Sequence, residues 1–214
     1  MSTIAHERIR EITPQMAGMR MSPEEFDAVE QWADDCSCEL VQGVLVVVPP
    51  PSEGERGPNE LLGHWLLSYQ EHHPRGAALD FTLAESLVST NTGRRRADRV
   101  IWTGLGRLPN VRRDRPTIAI EFVSAGKRNV RRDYIDKRDE YLQSGIKEYW
   151  IIDRFRRQMT VYRREHDQMI ELTIREHAQY STPLLPGFQL PVGRLLEIED
   201  GLERAGADGQ AEPA

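Results

Sequence analysis

The stretch that most narrows the possible folds is TIAIEFV, residues 117–123, a β-prone apolar run interrupted by one carboxylate, Glu121. Aspartate and glutamate are almost never fully buried unless they are paired or bind a metal. An acid with apolar neighbours on both sides therefore either lies on a solvated strand face or does chemistry. Two other positions share the pattern. Glu39 lies in a β-prone segment beside Leu40 and Val41, and Asp98 lies between Ala97 and the run from Val100 to Trp102. Strand alternation alone would leave either of these facing water.

The surrounding sequence supplies strands and helices in mixed order. Ser22-Pro23-Glu24-Glu25 is a helix start with a Ser N-cap, Pro at the first helical position and a capping-box Glu. That helix is expected to run to about Trp32. A hairpin around Gly43 follows, with strands near 37–41 and 44–48. The segment PSEGERGPNE reads as a loop. A second helix over 60–73 is capped near Asn59 and carries Leu61, Leu62, Trp65, Leu66 and Tyr69 at helical spacing. Strands are expected at 79–88, 97–102 and 116–123, then a helix over about 129–144 closed by Gly145. EYWIID and MTVYRR form two strands around a turn at 153–158, with a further β segment near 169–174. The expected fold class is α/β, in the sense of a mixed α+β sheet flanked by helices. One domain spans 21–199, after a loose leader (1–20) and before a disordered tail (200–214).

Several classes are excluded. No apolar run approaches the ~20 residues of a membrane helix, and the first residues lack an apolar signal core. Cys36 and Cys38 are the two cysteines. They cannot build a disulfide framework, and no further soft ligands stand at zinc-site spacing. They read as reduced thiols in a cytoplasmic protein.

The helix after Glu121 adds a cation. At ~100° per residue, Lys137 projects within about 20° of Val130, 40° of Tyr141 and 60° of Tyr134, with Asp133 one turn earlier. It lies on the margin of the apolar stripe, where a lysine either snorkels or meets an acid. On the same wheel Arg138 points into the middle of that stripe, against expectation.

Taken in order, the Glu-Leu-x-x-Gly hairpin, the Asp98 strand, the Glu-Phe-Val-Ser strand end, Asp133-x-x-x-Lys137-x-x-x-Tyr141-x-x-x-Gly145 and Glu148-Tyr149-Trp150-Ile151-Ile152-Asp153 resemble the Uma-type putative restriction endonuclease family of the PD-(D/E)XK nuclease superfamily. The resemblance covers about residues 20–198. It implies a restriction-endonuclease-like core with an N-terminal helix and hairpin, and a catalytic set of Asp98, Glu121, Lys137 and Glu39. Asp98, Glu121 and Glu39 would be the metal ligands, Glu39 as a third ligand or an anchor. Val123 occupies the usual lysine position, so the lysine role passes to Lys137. Ala97, Cys38 and Arg138 depart from the family pattern, and Asn59 is nearest to a histidine common at the start of the second helix.

The implied chemistry suits these residue types. Phosphodiester hydrolysis needs charge neutralised on phosphate and a hydroxide at neutral pH, which Mg²⁺, or Mn²⁺ in its place, supplies on hard carboxylate ligands. Without a cation, two carboxylates at ~4 Å repel by about 4 kcal/mol at an effective dielectric of 20. Charge is also distributed unevenly. The chain as a whole is −6, but residues 94–164 hold 20 Lys and Arg against 9 Asp and Glu, a net of +11 that brackets the proposed site. Arg96, Ser124, Lys127, Arg128 and Arg131 are the candidate phosphate contacts, and double-stranded DNA the expected partner. A symmetric homodimer would suit cleavage of two strands. The competing readings are a nuclease-fold binding or regulatory module without useful turnover, and a metal-free two-carboxylate hydrolase.

Overall fold

The structure is a computed structural model that describes residues 9, 11–33, 37–48, 50–126, 131–166 and 168–208. Its centre is an eight-stranded mixed sheet. In chain order its strands are β3 (Ser37–Val41), β4 (Val44–Val48), β5 (Leu79–Ser89), β6 (Arg94–Thr103), β7 (Ile118–Phe122), β8 (Glu148–Asp153), β9 (Gln158–Glu165) and β10 (Gln168–Arg175). β1 (Glu11–Ile12) and β2 (Gln31–Trp32) form a separate parallel pair, and β11 (Gln179–Tyr180) and β12 (Leu190–Pro191) an antiparallel one. The helices are α1 (Pro23–Asp27), α2 (Glu53–His72), α3 (Arg138–Gln143) and α4 (Val192–Asp208).

Strand alternation sorts β7 cleanly. Ile118, Ile120 and Phe122 face one way and join Leu62 and Leu66 of α2 and Leu195 and Leu196 of α4. Ala119 and Val123 face the other way, against Tyr141 and Leu142 of α3. Glu121 lies between them on this second face, so α3 is the element that covers it. Val123 is buried in the same cluster, packed as an apolar residue, and the lysine comes from the helix instead. β7 and β8 run parallel, and the segment carrying α3 is the crossover between them.

β6 organises the rest. β5 lines one edge of it, from Ser89↔Arg94 to Leu79↔Thr103. Its other edge is shared: β7 pairs at Arg99–Ile101, and β3 meets it only at Leu40↔Arg94. Between them, residues 95–98 have no strand neighbour on that side among the described residues. Gly93 sets the near end of this gap. A Cβ there would stand 1.8 Å from the Leu40 carbonyl oxygen. Gly93→Ala should force β3 away and cost about 1–3 kcal/mol, as overpacking does, read as a lowered urea midpoint.

Four expectations need correction. α1 ends at Asp27 rather than near Trp32, because Gln31–Trp32 pairs with Glu11–Ile12 and Trp32 packs edge-to-face on Phe26, ring centroids 4.9 Å apart. By the same pairing, residues 11–20 are not loose: Ile12 is fully buried, and Arg20 bridges to Val44. α2 begins at Glu53, inside the segment expected to be a loop. A Ser52/Glu55 capping box, with Glu55 Oε2 2.6 Å from the Ser52 N–H, starts it despite Gly54, Gly57 and Pro58. α4 continues through the expected tail to Asp208, since Ile198 and Leu202 extend its apolar stripe onto α2 at Gly57.

The hairpin is as expected. Its two-residue turn, Gln42-Gly43, takes positive φ at both positions (50° and 76°), as a right-twisted hairpin requires. Cys38 is buried in the N-terminal cluster with Leu40 and Phe26, and Cys36 lies outside the described residues.

Candidate active site

The gap beside β6 leaves main-chain groups that the sheet cannot satisfy, and buried ones must find partners. Side chains from four elements supply them. Glu39 Oε1 accepts from the Arg96 N–H at 3.0 Å, and Lys137 Nζ donates to the Arg96 carbonyl at 2.7 Å. Asn59 Nδ2 donates to the Asp98 carbonyl at 2.8 Å. Asp98 Oδ2 accepts from the Phe122 N–H at 2.6 Å, where β7 parts from β6. On the far edge the β5–β6 ladder skips the pair Glu85/Asp98, and Glu85 takes a left-handed φ of 51°. Strain of this kind persists only where neighbouring structure over-determines it.

The gap is thus filled by Glu39, Asp98, Glu121 and Lys137. Lys137 Nζ lies 2.7 Å from Glu121 Oε2 and 3.6 Å from Glu39 Oε1. Tyr141 donates its hydroxyl proton to Glu121 Oε1 at 3.0 Å. Arg95 closes the other side of Glu39 at 3.1 Å and forks onto Glu140 at 2.8 and 2.6 Å. Lys137 comes from a π-helical turn, Arg132–Lys137, that leads into α3. Its i→i+5 bonding departs from the 100° wheel, burying Asp133 and Lys137 together and rotating Arg138 out over the Tyr162 ring, 5.4 Å from its centroid. Single π turns are frequent at functional sites.

Burial dominates the electrostatics. It pushes Asp98 up to about 7, against Lys137 and the Phe122 N–H, with Glu85 and Glu55 adding to the rise. It drives Glu121 well above the usual carboxylate range, Lys137 opposing and Asp98 and Asp133 adding. Burial also raises Glu85 and Asp133. For Glu39, burial is outweighed by Lys137, Arg95 and the Arg96 N–H, and the carboxyl is held below its ordinary value. Burial would lower Lys137, but Glu121, Glu39 and Asp133 outweigh it, so the ammonium keeps its proton. The centre therefore holds more carboxylates than cations.

A cavity of about 110 Å³ opens beside these groups, walled by Glu39, Glu55, Glu85, Asp98, Ser124 and Lys137, with Arg96 and Arg132 also contributing. Ser124 donates its hydroxyl to Glu55 Oε1. Glu121 lies behind Lys137 rather than on the cavity wall. Of the candidate phosphate contacts, Arg96 and Ser124 reach the cavity. Arg131 lines a separate depression with Tyr134, Ile135 and Phe155, and Lys127 and Arg128 lie outside the described residues. Sequence reasoning missed Arg95, Glu55 and Glu85 as site residues, and placed Tyr141 on the apolar stripe and in the family motif without giving it a role at the site. Glu55 was detectable, as the capping-box partner of Ser52.

Among the described residues no three His, Cys, Asp or Glu side chains converge on one point as a metal cluster. Mg²⁺ does not need three: it is commonly held by one or two carboxylates with waters completing the shell. The donors present fit such an ion. Asp98 lines the cavity, and its Oδ1 accepts no hydrogen bond from the described residues; Glu121 adjoins it, and the oxygens are hard ligands short of positive charge. Glu39 and Glu121 each have both oxygens engaged, Glu39 by Arg95, Arg96 and Lys137 and Glu121 by Lys137 and Tyr141, so either would ligate only by giving up one of these partners.

A mixed sheet flanked by helices, with acids gathered where two of its strands part, places the molecule among restriction-endonuclease-like nuclease folds. The chain belongs to the Uma2 family, described as putative restriction endonucleases, whose profile matches residues 23–193. A crystal structure of a putative nuclease belonging to DUF820, from Anabaena variabilis ATCC 29413, shares the fold. The TM-score is 0.64 at 15% identity, over 84% of this chain and 99% of that one. The type IIG restriction endonuclease BpuSI aligns at 11% identity over 77% of this chain and 18% of its own, with a TM-score of 0.37 too low to carry an argument. No relative was found among curated proteins.

Proposed function

We propose that this protein is a metal-dependent endonuclease acting on double-stranded DNA, with Asp98 and Glu121 holding Mg²⁺ or Mn²⁺ and Lys137 supplying a fixed positive charge. The observation that carries the reading is the Lys137 ammonium, fixed between Glu121 and the Arg96 carbonyl, on the wall of a cavity it shares with Asp98. A divalent cation bound there would neutralise phosphate charge and lower the pKa of a bound water.

The chain's own groups do the rest. Lys137 stays protonated, so it acts as a donor to phosphoryl oxygen and not as a base. Glu39 fixes the Arg96 main chain and with it the Lys137 acceptor. Asn59 ties α2 to β6 at Asp98, and its Oδ1 takes the Arg99 Nε at 2.6 Å, which holds the site to both layers. Arg96 and Ser124 border the path a phosphate would take. Much of the basic band is spent internally: Arg94 pairs with Asp27, Arg107 with Asp114 and Arg163 with Glu148. Affinity for duplex should therefore be modest and salt-dependent.

The test is nicking of supercoiled plasmid with Mg²⁺ or Mn²⁺, and with EDTA. Cleavage should need the cation and fall at least ~10³-fold in Asp98→Asn, a loss of about 4 kcal/mol in transition-state stabilisation. Equal nicking by wild type and variant would overturn the site. The seclusion of Glu121 behind Lys137 and Tyr141 favours one second reading, a binding module of the same fold. Duplex binding without cation-dependent nicking would establish that instead.

A further inference from the structure

A second cavity, of about 410 Å³, adjoins the first and shares Glu85 and Arg96 with it. Its walls are of two kinds. Phe26, Trp32, Leu83 and Leu87 give aromatic and aliphatic surface, while Arg96 and Arg112 bring positive charge. Arg94 also lines it but is neutralised by a two-pronged bond to Asp27 at 2.9 and 2.5 Å. Among the described residues neither Arg96 nor Arg112 forms an ion pair. Arg96 makes up the partition itself: one of its terminal nitrogens donates to the Glu85 carbonyl at 2.7 Å, and its buried Nε has no partner among the described residues. The partition is built on the left-handed Glu85, where the β5–β6 ladder skips its pair.

We infer that this cavity is a nucleobase subsite, which takes the base of the nucleotide next to the phosphate bound in the first cavity. The inference rests on the endonuclease reading and extends it to how substrate is held. The volume lies within the range of small-ligand pockets. It is large enough for one nucleotide, whose base would enter from a single strand or turned out of the duplex stack. Trp32, Leu83 and Leu87, which are only half-buried, offer apolar surface to the face of any base, while Phe26 backs Trp32 edge-to-face. The guanidiniums of Arg96 and Arg112 are placed to meet its phosphate and ring acceptors. Arg96, bordering both cavities, links the base to the reacting phosphate.

Equilibrium dialysis of the full chain against 5′-AMP and ribose 5-phosphate tests this. AMP should bind about tenfold tighter than ribose 5-phosphate, because only AMP carries the base. Ala84→Trp, which fills the cavity, should bring AMP down to the ribose 5-phosphate level. Arg112→Ala, at an exposed position, should weaken both ligands several-fold. If Ala84→Trp melts early, Ser89→Trp at the exposed rim replaces it. Equal affinity for the two ligands, or undiminished AMP binding by a folded cavity-filling variant, overturns the subsite. Plasmid nicking by the wild type is run alongside. Nicking without base-dependent binding overturns the subsite alone, whereas base-dependent binding without nicking supports the subsite and overturns the endonuclease reading.

Discussion

Glu121→Gln should abolish plasmid nicking, by at least ~10³-fold, while leaving the fold nearly as stable as before. The two effects separate because of where Glu121 stands. Its neighbours Lys137 and Tyr141 both donate to it, at 2.7 and 3.0 Å. The amide oxygen of glutamine can still accept from one of them, and its shape is unchanged. Lys137 keeps its bond to the Arg96 carbonyl at 2.7 Å and its pairing with Glu39 at 3.6 Å, so it is not left without a partner and the neutral isostere gives up little folding energy. What it gives up is the charge that would hold a divalent cation beside Asp98. Lys137→Met is the informative contrast. Removing one partner of a buried pair costs about 3–5 kcal/mol, and here the loss should sit at the low end, because Glu121 can take a proton. Nicking by Lys137→Met should fall by about 10²–10³-fold, as for loss of one fixed donor. Nicking by Glu121→Gln at the wild-type rate would remove Glu121 from the mechanism.

The fold was legible where apolar period and turn chemistry agree: the hairpin at Gly43, the strands around Glu121 and at 148–153, and the helix closed by Gly145. It was less so where a local signal competed with a distant one. Gly57 and Pro58 suggest a loop, yet the Ser52 capping box and the close approach of Leu202 make a helix of it. The run after Pro23 suggests a full helix, yet β1 claims Gln31 and Trp32. The site shows the same division. Acids placed in apolar strands and a lysine beside an apolar stripe made Glu39, Asp98, Glu121 and Lys137 candidates, each with an ordinary surface explanation. The family resemblance joined them into one set, and the structure gathers them around one gap. The π turn was not legible, since a wheel assumes i→i+4 bonding throughout, and Arg138 was the position where that assumption failed visibly. Nor were Arg95 and Glu85. Each looks like an ordinary charge on an exposed face until partners 45 or 56 residues away along the chain are brought to Arg95, and until the interrupted ladder turns Glu85 toward the cavity.

Arg95→Met should be the most destabilising single change at this centre. The side chain is 5% exposed and bonds two carboxylates at once, Glu39 at 3.1 Å and Glu140 at 2.6 Å. Methionine preserves much of the volume but leaves both acids without their shared cation. Losing one partner of a buried ion pair costs about 3–5 kcal/mol, which for a chain of this size lowers Tm by roughly 6–20 °C. The pH dependence identifies the cause. In the wild type Glu39 titrates below its unfolded value, with Lys137 and Arg95 outweighing burial. A group of this kind contributes stability that is fully present above its unfolded pKa and is lost as pH falls through the folded one. Without Arg95 that contribution shrinks, so the gap between wild type and variant should be widest at neutral pH and should narrow below about pH 4 as the carboxyl takes up a proton. Adding Glu39→Gln to Arg95→Met should recover part of the loss, because a neutral amide needs no cation and can still accept the Arg96 N–H. Urea denaturation from pH 3.5 to 7.5 measures all three chains. A gap that does not change with pH would mean that Arg95 acts through packing against α3 and not through the charge on Glu39.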